Sequence, residues 1–122
     1  MAGLTNAEAQ ATLDARFPTT GATDHIAWSV NGTSEFASLA RTPIGATGWA
    51  AATAADPSVK ANSVALTSAA ASGSGTVTHW AIFSAVTAGT QRTDWTALSA
   101  SKAVTSGDQL TVAIGAVSVT LT

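Results

Sequence analysis

The sequence predicts a mainly β fold, an antiparallel β-sandwich or barrel of seven to eight strands preceded by one short N-terminal helix. Three observations carry this expectation. Apolar residues recur with period two from residue 24 onward, which is the strand period. Turn-forming clusters, Asn31-Gly32, Asp56-Pro57-Ser58 and Ser106-Gly107-Asp108, punctuate that pattern. Only the stretch near the N-terminus carries helix start and stop signals. The chain therefore divides into an N-terminal helical arm over 1–18 and a β domain over 19–122.

The helix is expected over residues 6–16. Thr5 and Glu8 form a T-x-x-E capping box, Ala7 to Arg16 is rich in helix formers, and Pro18 stops the run. Its apolar stripe, Leu4 and Leu13 with small neighbours, is thin. Ile26, Trp28 and Val30 then alternate with Ala27 and Ser29, and Asn31-Gly32 signals a type I′ turn into a partner strand over Thr33–Ala40. Pro43 breaks the chain, and a small-residue stretch follows around Trp49. Val59–Ala70 reads as one strand, with Val64 and Leu66 on one face. Thr76–Ser84 carries apolar residues on both faces, as a central, doubly covered strand would. Asp94–Ser99 and Ala103-Val104 read as two further strands. At the end the phase slips: Leu110, Val112 and Ile114 are even, whereas Val117, Val119 and Leu121 are odd. A slip of one residue turns every side chain to the opposite face, so Gly115 marks a bulge or a break into two strands.

Composition narrows the function classes. The chain has 122 residues and a formal charge of −2, one domain's worth of sequence with scattered basic residues. That balance lacks the electrostatic footprint of nucleic-acid binding. Hydrophobic residues make up 46%, but half of them are the 28 Ala, so the core of large side chains is lean. Charged residues are only 10%. A lean core with few surface charges implies that partners cover part of the surface. With no Cys there is no disulfide framework and no thiolate site. No signal-peptide pattern opens the chain and no stretch approaches the roughly 20 apolar residues of a membrane span, so no membrane partner is expected.

Catalytic chemistry is not indicated. His25 and His79 both fall in strand patterns, without metal-ligand spacing. Asp24 adjoins His25, but no nucleophile-elbow motif accompanies the pair. Glu8, Asp14, Asp56, Asp94 and Asp108 sit in the helix or in turns, where they cap and solubilise. Gly73-Ser74-Gly75 is followed by no Lys-Ser/Thr and is no phosphate loop. No enzyme activity, cofactor or metal is expected. The four Trp, at 28, 49, 80 and 95, read as core or interface residues. Asn31-Gly32-Thr33 has the form of a glycosylation acceptor, though the turn reading is the stronger one.

The segment from Thr76-Val77-Thr78-His79-Trp80-Ala81-Ile82-Phe83 to Gly89-Thr90 forms a pattern with Trp95-Thr96-Ala97-Leu98 and Ser106-Gly107-Asp108-Gln109-Leu110. Together with the ending Gly115-Ala116-Val117-Ser118-Val119-Thr120-Leu121, it resembles a family of small tailed-bacteriophage virion proteins, variously described as head decoration, minor capsid or tail-fibre proteins. Ala22–Ala27 and Gly48-Trp49-Ala50 are similar to members from actinobacterial phages. Ser84 departs from the pattern, since an acidic residue often stands there, as do Arg92 and Asp94 in the turn. The resemblance implies a structural virion protein. The expected role is capsid decoration, binding the major capsid protein lattice on the outer capsid surface, with the chain itself as a homotrimer. The alternative is a tail or tail-fibre component that binds a host surface glycan or other tail proteins. Leu4, Leu13, Phe17, Trp49 and Trp95 are the candidate assembly contacts, with the segment before Pro18 as the element that reaches a neighbour.

Overall fold

The computed structural model describes residues 3–121. Among them are one helix, α1 (Asn6–Arg16), and eight strands: β1 (His25–Ser29), β2 (Thr42–Pro43), β3 (Ser58–Ala61), β4 (Leu66–Thr67), β5 (Gly75–Phe83), β6 (Thr96–Val104), β7 (Thr111–Val112) and β8 (Ser118–Leu121). The fold is mainly β, in antiparallel sheets, with one short helix, as the period of two and the capping box predict. The chain forms two compact units. One takes residues up to 22 with 44–65 and the residues from 112 on, and the other takes 23–43 and 66–111.

In the first unit, Thr5 Oγ1 accepts from the Glu8 N–H at 3.2 Å and caps α1, with Glu8 in the first turn and Arg16 in the last to complement the helix dipole. Ala9 and Leu13 are buried, and Phe17, the C-cap, closes the helix by donating its N–H to the Leu13 carbonyl. The polar side of α1 is tied down too. Gln10 Nε2 donates to the Ala52 carbonyl at 2.9 Å, and Asp14 Oδ1 accepts from both the Ala52 N–H and Lys60 Nζ. Lys60 lies on β3, which pairs with β8 from Ser58↔Leu121 to Ala61↔Ser118. β3 buries Ser58 and Lys60 and leaves Val59 and Ala61 half-buried, so its polar side chains face inward.

The expected single strand Val59–Ala70 is instead two short ones, β3 and β4, broken after Asn62. The reason is the Asn62 side chain, which is fully buried. Its Nδ2 donates to the carbonyls of Val64 and Ala113, and its Oδ1 accepts from the Val117 N–H. An amide that serves three backbone groups on two segments draws the chain out of a ladder. Gly115, at φ +79°, makes the turn between β7 and β8, so the phase slip is a break into two strands. Asn62→Ala is expected to cost about 2 kcal/mol, because backbone groups lose their partner although the adjacent Val64 and Ala113 are near solvent. A urea titration with hydrogen exchange at Val117 would measure it.

The second unit holds a four-stranded sheet in the order β2-β1-β5-β6, together with β4 and Thr111 of β7. β5 is central, as predicted, and buries Val77 and Ala81 as well as Trp80 and Ile82. β1 pairs with it from His25↔Phe83 to Ser29↔His79, setting Trp28 opposite Trp80. The expected hairpin partner over Thr33–Ala40 is not a strand. β1 instead takes Thr42–Pro43 as its second neighbour, where Pro43, on the outermost strand, costs no ladder bond. The type I′ turn is overridden because the Ser29 and Asn31 side chains bind the backbone of 31–34 and build a loop. Asp94–Ser99 and Ala103-Val104, read as separate strands, are merged from Thr96 onward into the single strand β6, with Asp94 and Trp95 outside it. Val77 pairs with Lys102 and His79 with Ala97, so Thr78 alone stands opposite Leu98 to Ser101. That bulge explains why the sequence reads as two pieces.

Candidate functional site

The five expected assembly residues fall into two groups. Leu13, Phe17 and Trp49 are buried in the first unit, where the Phe17 and Trp49 rings meet edge to face at 5.3 Å. Leu4 remains 51% exposed. Trp95 is half-buried in the second unit and packs on Phe83, with ring centroids 5.9 Å apart. Of the five, Leu4 is exposed and Trp95 partly so, and two further surface features lie where the sequence reading named no assembly residue.

The most organised of these features surrounds Arg41. Its side chain is only 7% exposed, and each of its three guanidinium nitrogens is engaged. Nε and Nη2 form a two-pronged pair with Glu35 at 3.0 and 2.9 Å, while Nη1 donates to the carbonyls of Ala85 and Ala88. The guanidinium carbon lies 4.0 Å above the Phe83 ring. This clamp fixes the turn after β5, in which Ala88 holds a left-handed φ of +52°. Beside it is an open groove of about 320 Å³, lined by Ala37, Leu39, Ala40, Val86, Thr87 and Ala88 along with the ion pair. Val86 is 58% exposed at this groove. With its nitrogens committed, Arg41 braces the groove and offers an apolar, shaped contact rather than anion capture. Arg41→Lys is expected to destabilise the second unit by about 2 kcal/mol, because an ammonium cannot reproduce the fork. A lower urea midpoint and faster proteolytic cleavage at 85–89 would show it. No sequence motif announces this cluster; its members lie far apart in the chain.

The second feature is β6, at the edge of its sheet. All its residues except Leu98 and Val104 are exposed, and the exposed ones are small apart from Lys102. The bulge at Leu98–Ser101 bends an edge that would otherwise offer a long, flat pairing surface. An open groove of about 320 Å³ runs beside its C-terminal half, lined by Lys102, Ala103, Val104 and residues 108–111.

His25, His79, Asp24 and Asp14 each have a hydrogen-bond or ion-pair partner. His25 Nδ1 donates to the Thr23 carbonyl, and His79 Nδ1 is hydrogen-bonded to Thr78 Oγ1 at 2.8 Å. Asp24, 2% exposed, sits 3.0 Å from Arg92 Nε. Burial pushes the Asp14 carboxyl up, but the hydrogen bonds from Lys60 and the Ala52 N–H, with the Lys60 charge, outweigh it and hold Asp14 below the ordinary value of 3.8. Among the described residues, no three His, Asp or Glu side chains cluster in a way that could hold a metal ion, and no helix is long and apolar enough to cross a membrane.

Comparison with known families gives one clear result. The family model described as "Podophage GP4 fiber I protein gp80" matches residues 5–120, which takes in both units. No curated protein matches the chain.

Proposed function

The chain belongs to the podophage GP4 fiber I protein gp80 family, and from that premise we propose that it is a non-enzymatic structural component of the virion's fibre apparatus. The observation that carries this reading is the extent of the match, 5–120, because a fibre-protein pattern spans the helix and every strand except the last residue of β8. The braced groove at Arg41 and the small-residue edge at β6 support it as surfaces for protein contact. Both offer shape and backbone, with little charge to select an ionic ligand. On this reading the partners are further copies of the chain or other tail proteins.

Capsid decoration is the competing assignment, with the major capsid protein as the partner and a homotrimer as the working unit. Immunogold labelling of intact virions distinguishes the two. Label confined to the tail region is the expected result, and label spread over the shell overturns the fibre assignment in favour of decoration. Light scattering of the purified chain then reads the number of copies.

A further inference from the structure

The loop after β1 holds Asn31 followed by Gly32, the dipeptide most prone to spontaneous deamidation in a flexible chain. The Gly32 amide nitrogen loses its proton and attacks Asn31 Cγ, and the new C–N bond closes a succinimide as Nδ2 leaves as ammonia. Water then opens the ring to give aspartate or isoaspartate at 31. The net change is one water consumed and one ammonia released, with no oxidant or reductant.

The folded loop holds the nucleophile, the side-chain carbonyl and the leaving group in hydrogen bonds that the attack has to break or rearrange. The Gly32 N–H, the nucleophile, donates to Ser29 Oγ at 2.9 Å. Asn31 Oδ1 accepts from the N–H groups of Thr33 and Ser34 at 2.9 and 3.0 Å, and from Thr33 Oγ1. Asn31 Nδ2, the leaving group, donates to Ser34 Oγ. Ser29, buried at the end of β1, is itself fixed by donating to the Ser34 carbonyl at 2.6 Å. A wall completes the arrangement. The His79 ring packs so closely on Gly32 that a Cβ there would come within 2.9 Å of Nε2, and His79 is anchored through Thr78. The ring thus packs against the Gly32 Cα and restrains that residue, at φ +77°, in its present place.

We propose that Asn31 is a latent self-modification site, shielded by Ser29, Ser34 and His79 while the loop is closed and released when it opens. The modification would add a negative charge to an exposed loop and remove the Nδ2 donor to Ser34, and isoaspartate would also reroute the backbone, so each opening long enough for chemistry is recorded permanently at residue 31.

The test follows conversion of Asn31 to aspartate and isoaspartate by peptide mapping and mass spectrometry. The full chain is incubated at mildly alkaline pH, folded and in urea, with Asn6, which precedes Ala7, as internal reference. Reaching the attack geometry breaks at least two hydrogen bonds at once, so the folded rate is expected to be about thirtyfold or more below the unfolded one. Ser29→Ala is expected to raise the folded rate severalfold. His79→Ala, which removes the wall instead, does the same and stands in for Ser29→Ala where that chain fails to fold. A folded rate equal to or above the unfolded rate overturns the proposal, as does a folded variant that deamidates no faster than wild type.

Discussion

Asp14→Asn is expected to destabilise the first unit by about 3 kcal/mol, whereas Lys60→Met costs clearly less. The asymmetry follows from burial. Lys60 is fully enclosed, while the Asp14 side chain is 35% exposed. Replacing the carboxylate with a neutral amide leaves the interior ammonium without a counter-charge, whereas removing the ammonium leaves Asp14 to water and to the Ala52 N–H. Chemical denaturation at neutral pH, read by hydrogen exchange over 44–65, would measure both costs. The pH dependence has a definite sign. Asp14 has a lowered pKa in the folded chain, so its contribution is present above the ordinary value of 3.8 and is lost as pH falls through the lower folded value. The gap between wild type and Asp14→Asn should therefore close on acidification below pH 3.8. A gap of constant size between neutral pH and strong acid would refute the pairing.

Trp49→Ala should cost about 3–5 kcal/mol, the usual penalty for emptying the site of a buried Trp. Trp49 is 2% exposed, bridges to Asn62 in the strand-like stretch beside β3, and meets Phe17 in an edge-type ring contact. The loss should appear as a lower urea midpoint with exchange accelerated in α1 and β3. Trp49→Phe should recover a good part, because a ring still meets Phe17. Preserved stability in the Ala variant would mean that this core is packed differently.

These two residues show where the sequence is readable. The capping box and Pro18 bound α1 because caps act through neighbours a few residues away. β5 is legible from its alternation, since a central strand must bury both faces. The break at Gly115 shows through the phase slip. Nothing local in the sequence, by contrast, marks Lys60 and Asn62 as interior residues, and both are buried. Their burial depends on Asp14 and on the backbone of 113–117, partners remote in sequence that periodicity cannot register. The loop at 29–34 fails for a local reason: Asn31-Gly32 favours a tight turn, but Ser29 and Ser34 outcompete it with side-chain hydrogen bonds. Arg41 and its groove have no sequence signal, because Glu35, Phe83 and Ala85–Ala88 are gathered from separate stretches.

The pairing of β3 with β8 imposes an order on synthesis. Residues 112–121 leave the ribosome only after all of 23–43 and 66–111, so the unit whose helix is made first is the last to be closed. A loop spanning Asn62 to Val117 must then be brought together, which slows that step relative to local contacts. In the interval β3, which carries Lys60, lacks its ladder partner, and the incomplete nascent unit is open to chaperones and proteases. A stall or stop codon between Val112 and Ser118 would thus release a product whose second unit is complete in sequence while the first lacks its closing strand.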